Sequence, residues 1–179
     1  MNDLRYCPRC RTPLEEREEG GRARLACPAE GCGFTFWGNP TPAVGVLVEH
    51  EGEVILARNR LWPEGWFALV TGFLEAREDP KAAVAREVKE ELGLDVVETN
   101  LIGNYLFDRK NEIMLCYHAV ATGTVALGEE LAEVRRYAPR DLRPWPRATG
   151  LAVADWMRSR GLPVEFVEFP APAAARPKA

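Results

Sequence analysis

Residues 72–94 read GFLEAREDPKAAVAREVKEELGL, and this stretch decides how the rest of the chain is read. From Asp79-Pro80 to Gly93 it predicts a helix. Asp79 can cap the first turn, Pro80 suits a position whose N–H needs no partner, and Gly93 supplies the stop. At about 100° per residue, Val84, Ala85, Val88 and Leu92 form an apolar stripe, and Glu87, Glu90 and Glu91 fall on an adjacent arc roughly 100° wide. Carboxylates at i,i+3 and i,i+4 spacing repel one another. Within the helix only Arg86, four residues before Glu90, is placed to offset them. Two readings follow: an ordinary solvated acidic face, or a set of oxygen ligands for a hard divalent cation such as Mg²⁺, which keeps waters and substrate phosphates in its shell.

The 179 residues are 46% apolar and 28% charged, the composition of a globular domain with room for a small appendage. No run is long enough to span a bilayer, and no signal-peptide pattern is visible. A cytoplasmic protein without membrane partners is expected. The net charge of −4 weighs against a broad electrostatic grip on a long polyanion. Phosphate chemistry would instead need a local metal.

Cys7-Pro-Arg-Cys10 is followed by Cys27-Pro-Ala-Glu-Gly-Cys32. Two short-spaced pairs across a loop can set four thiolates around Zn²⁺, and a segment this short needs such a staple. Two disulfides are the alternative, disfavoured where thiols stay reduced. Residues 1–36 hold six Arg and six acidic residues, so this ribbon is no basic platform for nucleic acid. The fifth cysteine, Cys116, lies in an apolar run and reads as packing. His118 in the same run has no sequence-local partner, and His50 falls in a hairpin turn and is expected to face solvent.

Around the helix, 43–48, 54–58, 66–70, 101–107, 113–122 and 133–137 read as strands and 149–160 as a second helix ending at Gly161. The pattern predicts a mixed α/β domain over 39–162, preceded by a ribbon over 1–38 and followed by a largely flexible tail over 163–179.

The 72–94 stretch resembles the Nudix box: Gly72, Glu78, Arg86, Glu87, Val88, Glu90, Glu91, Gly93 and Leu94 fill every specified position of that pattern. With its cysteine ribbon, the chain is similar over roughly residues 6–162 to the NADH pyrophosphatase and FAD pyrophosphatase branch of the Nudix hydrolases. The resemblance implies an α/β/α sandwich with a mixed sheet, preceded by a small zinc ribbon. It also implies an enzyme that uses Mg²⁺ or Mn²⁺ to hydrolyse a phosphoric anhydride in a nucleoside diphosphate derivative such as FAD, NADH or ADP-ribose. Alternatives are a hydrolase of noncanonical nucleoside triphosphates or capped RNA ends, and a silent nucleotide sensor. Relatives often form homodimers. One departure stands out. Where NADH pyrophosphatases carry a Gln-Pro-Trp-Pro-Phe-Pro-like segment, this chain has NYLFDRKNE over 104–112, and Arg143-Pro-Trp-Pro-Arg147 lies far past that position.

On this resemblance Glu87 and Glu91, one turn apart, are the first expected metal ligands, Glu91 also as a catalytic carboxylate, and Glu90 completes the metal site or takes the proton of the attacking water. A further ligand is expected from GEELAE over 128–133: Glu130 aligns best, with Glu129 and Glu133 as rivals. Arg86 either orients Glu90 or meets phosphate, and Glu78 either ligates metal or braces the loop. Trp66 and Phe107, with Trp62 and Tyr105 behind them, are candidate stacking surfaces. Arg109 and Lys110 are candidate contacts to a far phosphate.

Overall fold

The computed structural model describes residues 4–168, and the chain divides into two compact units between Asn39 and Pro40. In the first, strands β1 (Glu15–Glu19) and β2 (Arg22–Ala26) form an antiparallel hairpin. Gly20 and Gly21 turn it with positive φ at both positions, which only glycine adopts without cost. The two cysteine pairs sit in tight turns beside it: Arg11 N donates to Cys7 O (2.8 Å) and Cys32 N to Ala29 O (3.1 Å). The longer second spacing is taken up by a turn through Gly31, also at positive φ.

All four Sγ atoms of Cys7, Cys10, Cys27 and Cys32 lie within 4.8 Å of one another. The closest separations are 3.4 Å (Cys10–Cys27) and 3.6 Å (Cys7–Cys32 and Cys10–Cys32). Thiolates at about 2.3 Å from a tetrahedral Zn²⁺ stand about 3.8 Å apart, so the group fits that ion. Chelating the metal is expected to open this unit. A thiol reagent should then find four reactive cysteines, while Cys116, fully buried in the other unit, stays protected. A folded protein without zinc, its ribbon thiols still shielded, would contradict the assignment.

The second unit is built on a mixed sheet of β3 (Thr41–His50), β4 (Glu53–Asn59), β5 (Val70–Phe73), β6 (Asp95–Phe107), β7 (Glu112–Thr122) and β8 (Leu131–Tyr137). Its order is β6-β7-β3-β4-β8. β3 pairs in parallel with β7 and antiparallel with its other neighbours. β3 lies at the centre and is buried on both faces from Ala43 to Val48, so it reads as an unbroken apolar run. One edge of β3 is shared: β4 pairs with Val48–His50 and β5 with Ala43–Val46. This fork brings Gly72 to the centre of the sheet.

Helix α1 (Pro80–Leu92) covers one face, packing Ala83, Val84, Val88 and Leu92 against Val44, Val46, Val48, Ile55 and Val70. Its ends form as the local chemistry dictates. Asp79 Oδ1 accepts from Lys81 N (2.9 Å), and Gly93 adopts φ 71° with its N–H on Lys89 O. The stripe is rotated from the expected one: Ala83 is buried and Ala85 exposed. Helix α2 (Thr149–Ser159) covers the other face with Val153, Trp156 and Met157 against Leu47, Leu56, Phe67 and Leu69. It sits close on β3: a Cβ on Gly45 would meet Thr149 Cγ2 at 2.9 Å. Two helices on opposite faces of one sheet make the α/β/α sandwich.

Three expectations shift. In the apolar run 66–70, Phe67, Leu69 and Val70 are buried and Ala68 bridges Ala57, but the strand is Val70–Phe73, because β3 offers its edge to the box end of the run. β6 starts at Asp95 rather than 101. His50 is buried, not solvent-facing: Arg136 Nη2 donates to its Nδ1 (2.9 Å), so Nε2 carries the proton donated to Gly123 O (3.0 Å). Beyond α2, Leu162 and Val164 pack against the α2-side core, and Val167 N donates to Pro144 O (2.9 Å). The remainder of the predicted tail, 169–179, lies outside the described residues.

Candidate active site

Glu87 points from α1 straight at β5. A Cβ on Gly72 would stand 1.8 Å from Glu87 Oε1, so the carboxylate fills the space that any other residue at 72 would need. Glu87 is 8% exposed, and burial raises its pKa even though Arg86 opposes the shift. One turn on, Glu91 is half-buried. Burial, then the charges of Glu87, Glu130 and Glu90, push its carboxyl up to about 8. Glu90 is exposed beside them. Glu90 and Glu91 also occupy the last turn of α1, where the helix dipole disfavours negative charge. Crowded, partly buried carboxylates at the wrong end of a helix suit an added cation. The acidic side chains are more widely spaced than the ribbon thiols, which are the set converging within 4.8 Å among the described residues.

Arg86 is the brace. Its Nε and Nη2 donate to the two oxygens of Glu78 (2.8 and 2.9 Å), Nη1 to Glu87 (2.6 Å) and to Glu90 (3.2 Å), and Nη2 also to Phe73 O (3.1 Å). The bidentate partner is thus Glu78, which also accepts from Glu75 N (2.8 Å). Arg86, then the Glu75 N–H, hold Glu78 down at about 2. Glu78 pins the box loop to the helix through one guanidinium. Its replacement by alanine should raise the Mg²⁺ concentration needed for half-maximal activity by about tenfold or more, the usual scale for losing a residue that orients metal ligands. A metal titration reads this directly, and an unchanged curve would show that Glu78 plays no such part.

The GEELAE segment reaches the site by lying flush on the end of α1. Ala126 N donates to Leu92 O (2.8 Å) and Gly128 N to Glu91 O (2.9 Å). A Cβ on Gly128 would stand 2.3 Å from Glu90 O. The segment thereby caps helix carbonyls that would otherwise lack donors. Among the three rivals, Glu133 is paired with Arg58 (3.4 Å) and Arg135 (3.2 Å), while Glu130 is the one whose charge raises Glu87 and Glu91. Glu130 also accepts from Asn59 Nδ2 (3.4 Å).

The expected contacts beyond the carboxylates divide between two sides. Ala68, two residues past Trp66, bridges Ala57 of β4, the strand that ends at Asn59. Phe107 and Arg109 lie at the β6–β7 turn. Leu74 N donates to Pro42 O (3.4 Å) and Thr41 N to Asn111 O (2.9 Å), so that turn and the box loop share one end of the sheet. Arg109 is exposed, and Lys110 stands 5.6 Å from the Phe107 ring. Tyr105 is engaged elsewhere, donating to Asp155 (2.8 Å). His118 is buried on the α2 face with Glu49 (2.9 Å), which also meets Arg160 (3.2 Å). Cys116 is buried in packing, as expected, and burial pushes its thiol up to about 12.

An α/β/α sandwich with a mixed sheet, presenting a carboxylate-lined helix to the end of that sheet, defines the class of domain. The NUDIX domain matches residues 39–156, and the chain belongs to the Nudix family. It is 30% identical over 154 residues to the NAD-capped RNA hydrolase NudC of Stutzerimonas stutzeri, covering 85% of this chain and 54% of that protein. It is 34% identical over 120 residues to the NAD-capped RNA hydrolase NudC of Mycobacterium tuberculosis, covering 64% of this chain and 36% of that one. The chain spans about half the length, or less, of these curated relatives. The crystal structure of a NUDIX hydrolase from Nitrosomonas europaea shares the fold, with a TM-score of 0.70 at 24% identity over 93% of this chain and 100% of that one. No helix among the described residues is long and apolar enough to cross a membrane.

Proposed function

We propose that this chain is a metal-dependent pyrophosphohydrolase that cleaves the diphosphate linkage of a nucleoside diphosphate derivative, with dinucleotide cofactors such as NADH or FAD as the leading substrates and ADP-ribose beside them. The observation that carries the reading is the crowding of Glu87, Glu91 and Glu130, with Glu91 driven up to about 8 by burial and like charges. A divalent ion held there would neutralise a diphosphate and acidify a water. Glu87, Glu91 and Glu130 hold the ion, Glu90 completes the set or takes the water's proton, and Arg86 keeps Glu87 and Glu90 in place. Trp66 and Phe107 offer rings to the substrate, and Arg109 a charge to its far phosphate. The ribbon thiols hold Zn²⁺ in a structural role.

The name shared by the curated relatives supports a second substrate, an RNA capped with NAD. The even balance of Arg and acidic residues over 1–36 favours the free dinucleotide. The test is incubation with Mg²⁺ or Mn²⁺ and NADH, NAD, FAD, ADP-ribose, a nucleoside triphosphate and NAD-capped RNA, with products separated by chromatography. Mononucleotide release from a free dinucleotide supports the reading. Turnover of capped RNA alone shifts the assignment to RNA ends, and no turnover of any substrate sinks it.

A further inference from the structure

Glu112 opens β7, where it pairs with Phe107 of β6 and with Thr41 of β3. Strand alternation puts the three on the face that carries Ala43, Met114 and Cys116. Glu112 is 8% exposed. The other buried titratable side chains of this unit that have polar partners hold them tightly: His50 with Arg136 at 2.9 Å, Glu87 with Arg86 at 2.6 Å and His118 with Glu49 at 2.9 Å. Among the described residues, no hydrogen bond or ion pair reaches the carboxylate of Glu112. No fully buried side-chain N or O atom there lacks a partner, so both carboxylate oxygens of Glu112 keep some contact with solvent. A carboxylate held mostly out of water costs free energy until a donor bonds it.

Directly opposite, Phe107 is partly buried against the cluster of Ala43, Met114 and Ala152, and the Lys110 ammonium lies over its ring at 5.6 Å, a place that a substrate ring would take by displacing that exposed lysine. A ring lying on Phe107 would set its edge against Glu112, since opposed residues on one face of a sheet stand about 5 Å apart. The same sheet end carries the box loop, joined at Pro42 beside Thr41. Glu112 and Phe107 lie on the α2 face and Glu87 on the α1 face of the sheet, so a substrate bound at both would pass round the sheet end that carries the box loop.

We propose that Glu112 is a specificity-determining residue, accepting hydrogen bonds from the amino or carboxamide N–H group of a substrate ring stacked on Phe107. An ionised carboxylate only accepts. It would therefore select adenine or nicotinamide and reject an oxo group or a carboxylate at the same place. The inference rests on the pyrophosphohydrolase reading, and it locates specificity within the 104–112 segment by which this chain departs from the NADH pyrophosphatase pattern.

The test reads binding rather than turnover. The full chain carrying Glu91→Gln is titrated calorimetrically, with Mg²⁺ present, against two pairs: NAD and nicotinic acid adenine dinucleotide, and ADP-ribose and its hypoxanthine analogue. One pair should show a preference of about tenfold or more for the N–H-bearing member, and which pair does so tells whether nicotinamide or adenine meets Glu112. Adding Glu112→Gln should cut that preference to about threefold or less, because an amide can donate or accept. Phe107→Leu, which keeps Glu112, should weaken both members alike. No preference in either pair, a preference that survives Glu112→Gln, or no binding of any of the four overturns the proposal. A chain that shows these preferences yet hydrolyses nothing would sink the pyrophosphohydrolase reading alone.

Discussion

Glu91→Gln is expected to lower turnover by about a thousandfold or more, the scale of losing several kcal/mol of charge stabilisation in the transition state. The same variant should melt no earlier than the parent protein when Mg²⁺ and Mn²⁺ are left out. The reason is the proton balance. The Glu91 carboxyl titrates at about 8 in the folded chain and near 4.3 in the unfolded one. Between those values the folded state holds the extra proton, so stability is highest below the unfolded value and falls as pH rises toward 8. The loss is at most about 5 kcal/mol, and less after solvent screening. Melting temperatures at pH 5 and pH 8 should therefore diverge in the parent protein and draw together in Glu91→Gln. Added Mg²⁺ should reduce the parent's divergence. An inactive variant that is also less stable at pH 8 would mean that Glu91 holds the fold rather than the ion.

Gly72→Ala carries the second large effect, and it separates space from charge. The backbone at Gly72 is not left-handed, so the penalty arises from the added methyl alone, 1.8 Å from Glu87 Oε1 and 1.9 Å from Cδ. Glu87 must swing away, and Arg86 Nη1, bonded to it at 2.6 Å, loses that partner. A ligand misplaced by about 1 Å costs roughly a hundredfold in rate, and overpacking of this kind costs about 1–3 kcal/mol. The expected result is a fall of at least about a hundredfold in kcat/KM with a melting temperature lower by several degrees. If the alanine variant kept its activity, the contact between β5 and Glu87 would not be what sets the ligand geometry.

These two variants act on the same carboxylates by different routes, and together with Glu78→Ala they describe how the site is held. Glu87 is located by the hole that Gly72 leaves, the box loop by Arg86 between Glu78 and Glu87, and Glu130 by the seating of Gly128 on the end of α1. Each constraint uses backbone or a rigid element, so the negative charges are kept close despite their repulsion.

What depends on neighbours in the chain can be read from residue order alone. Asp79, Pro80 and Gly93 delimit α1 through capping chemistry that acts within one turn, and helical periodicity alone sets Glu87, Glu90 and Glu91 on one arc. The cysteine spacing likewise defines the ribbon, since a knuckle is a local turn. The strands were legible as apolar runs, though the run over 66–70 did not reveal that Val70 alone of its residues would join the β3 ladder, because the partner edge belongs to β3. Contacts between segments distant in the chain came from the assembled fold. It turned Arg86 chiefly to Glu78, distinguished Glu130 from Glu133 by pairing the latter with Arg58 and Arg135, and buried His50 against Arg136. It also set Glu112 beside Phe107 across two strands. The physical reason is common to all of these: periodicity tells which face a side chain takes on its own element, whereas its partner depends on strand register and on which backbone comes close enough to leave, or to deny, it room.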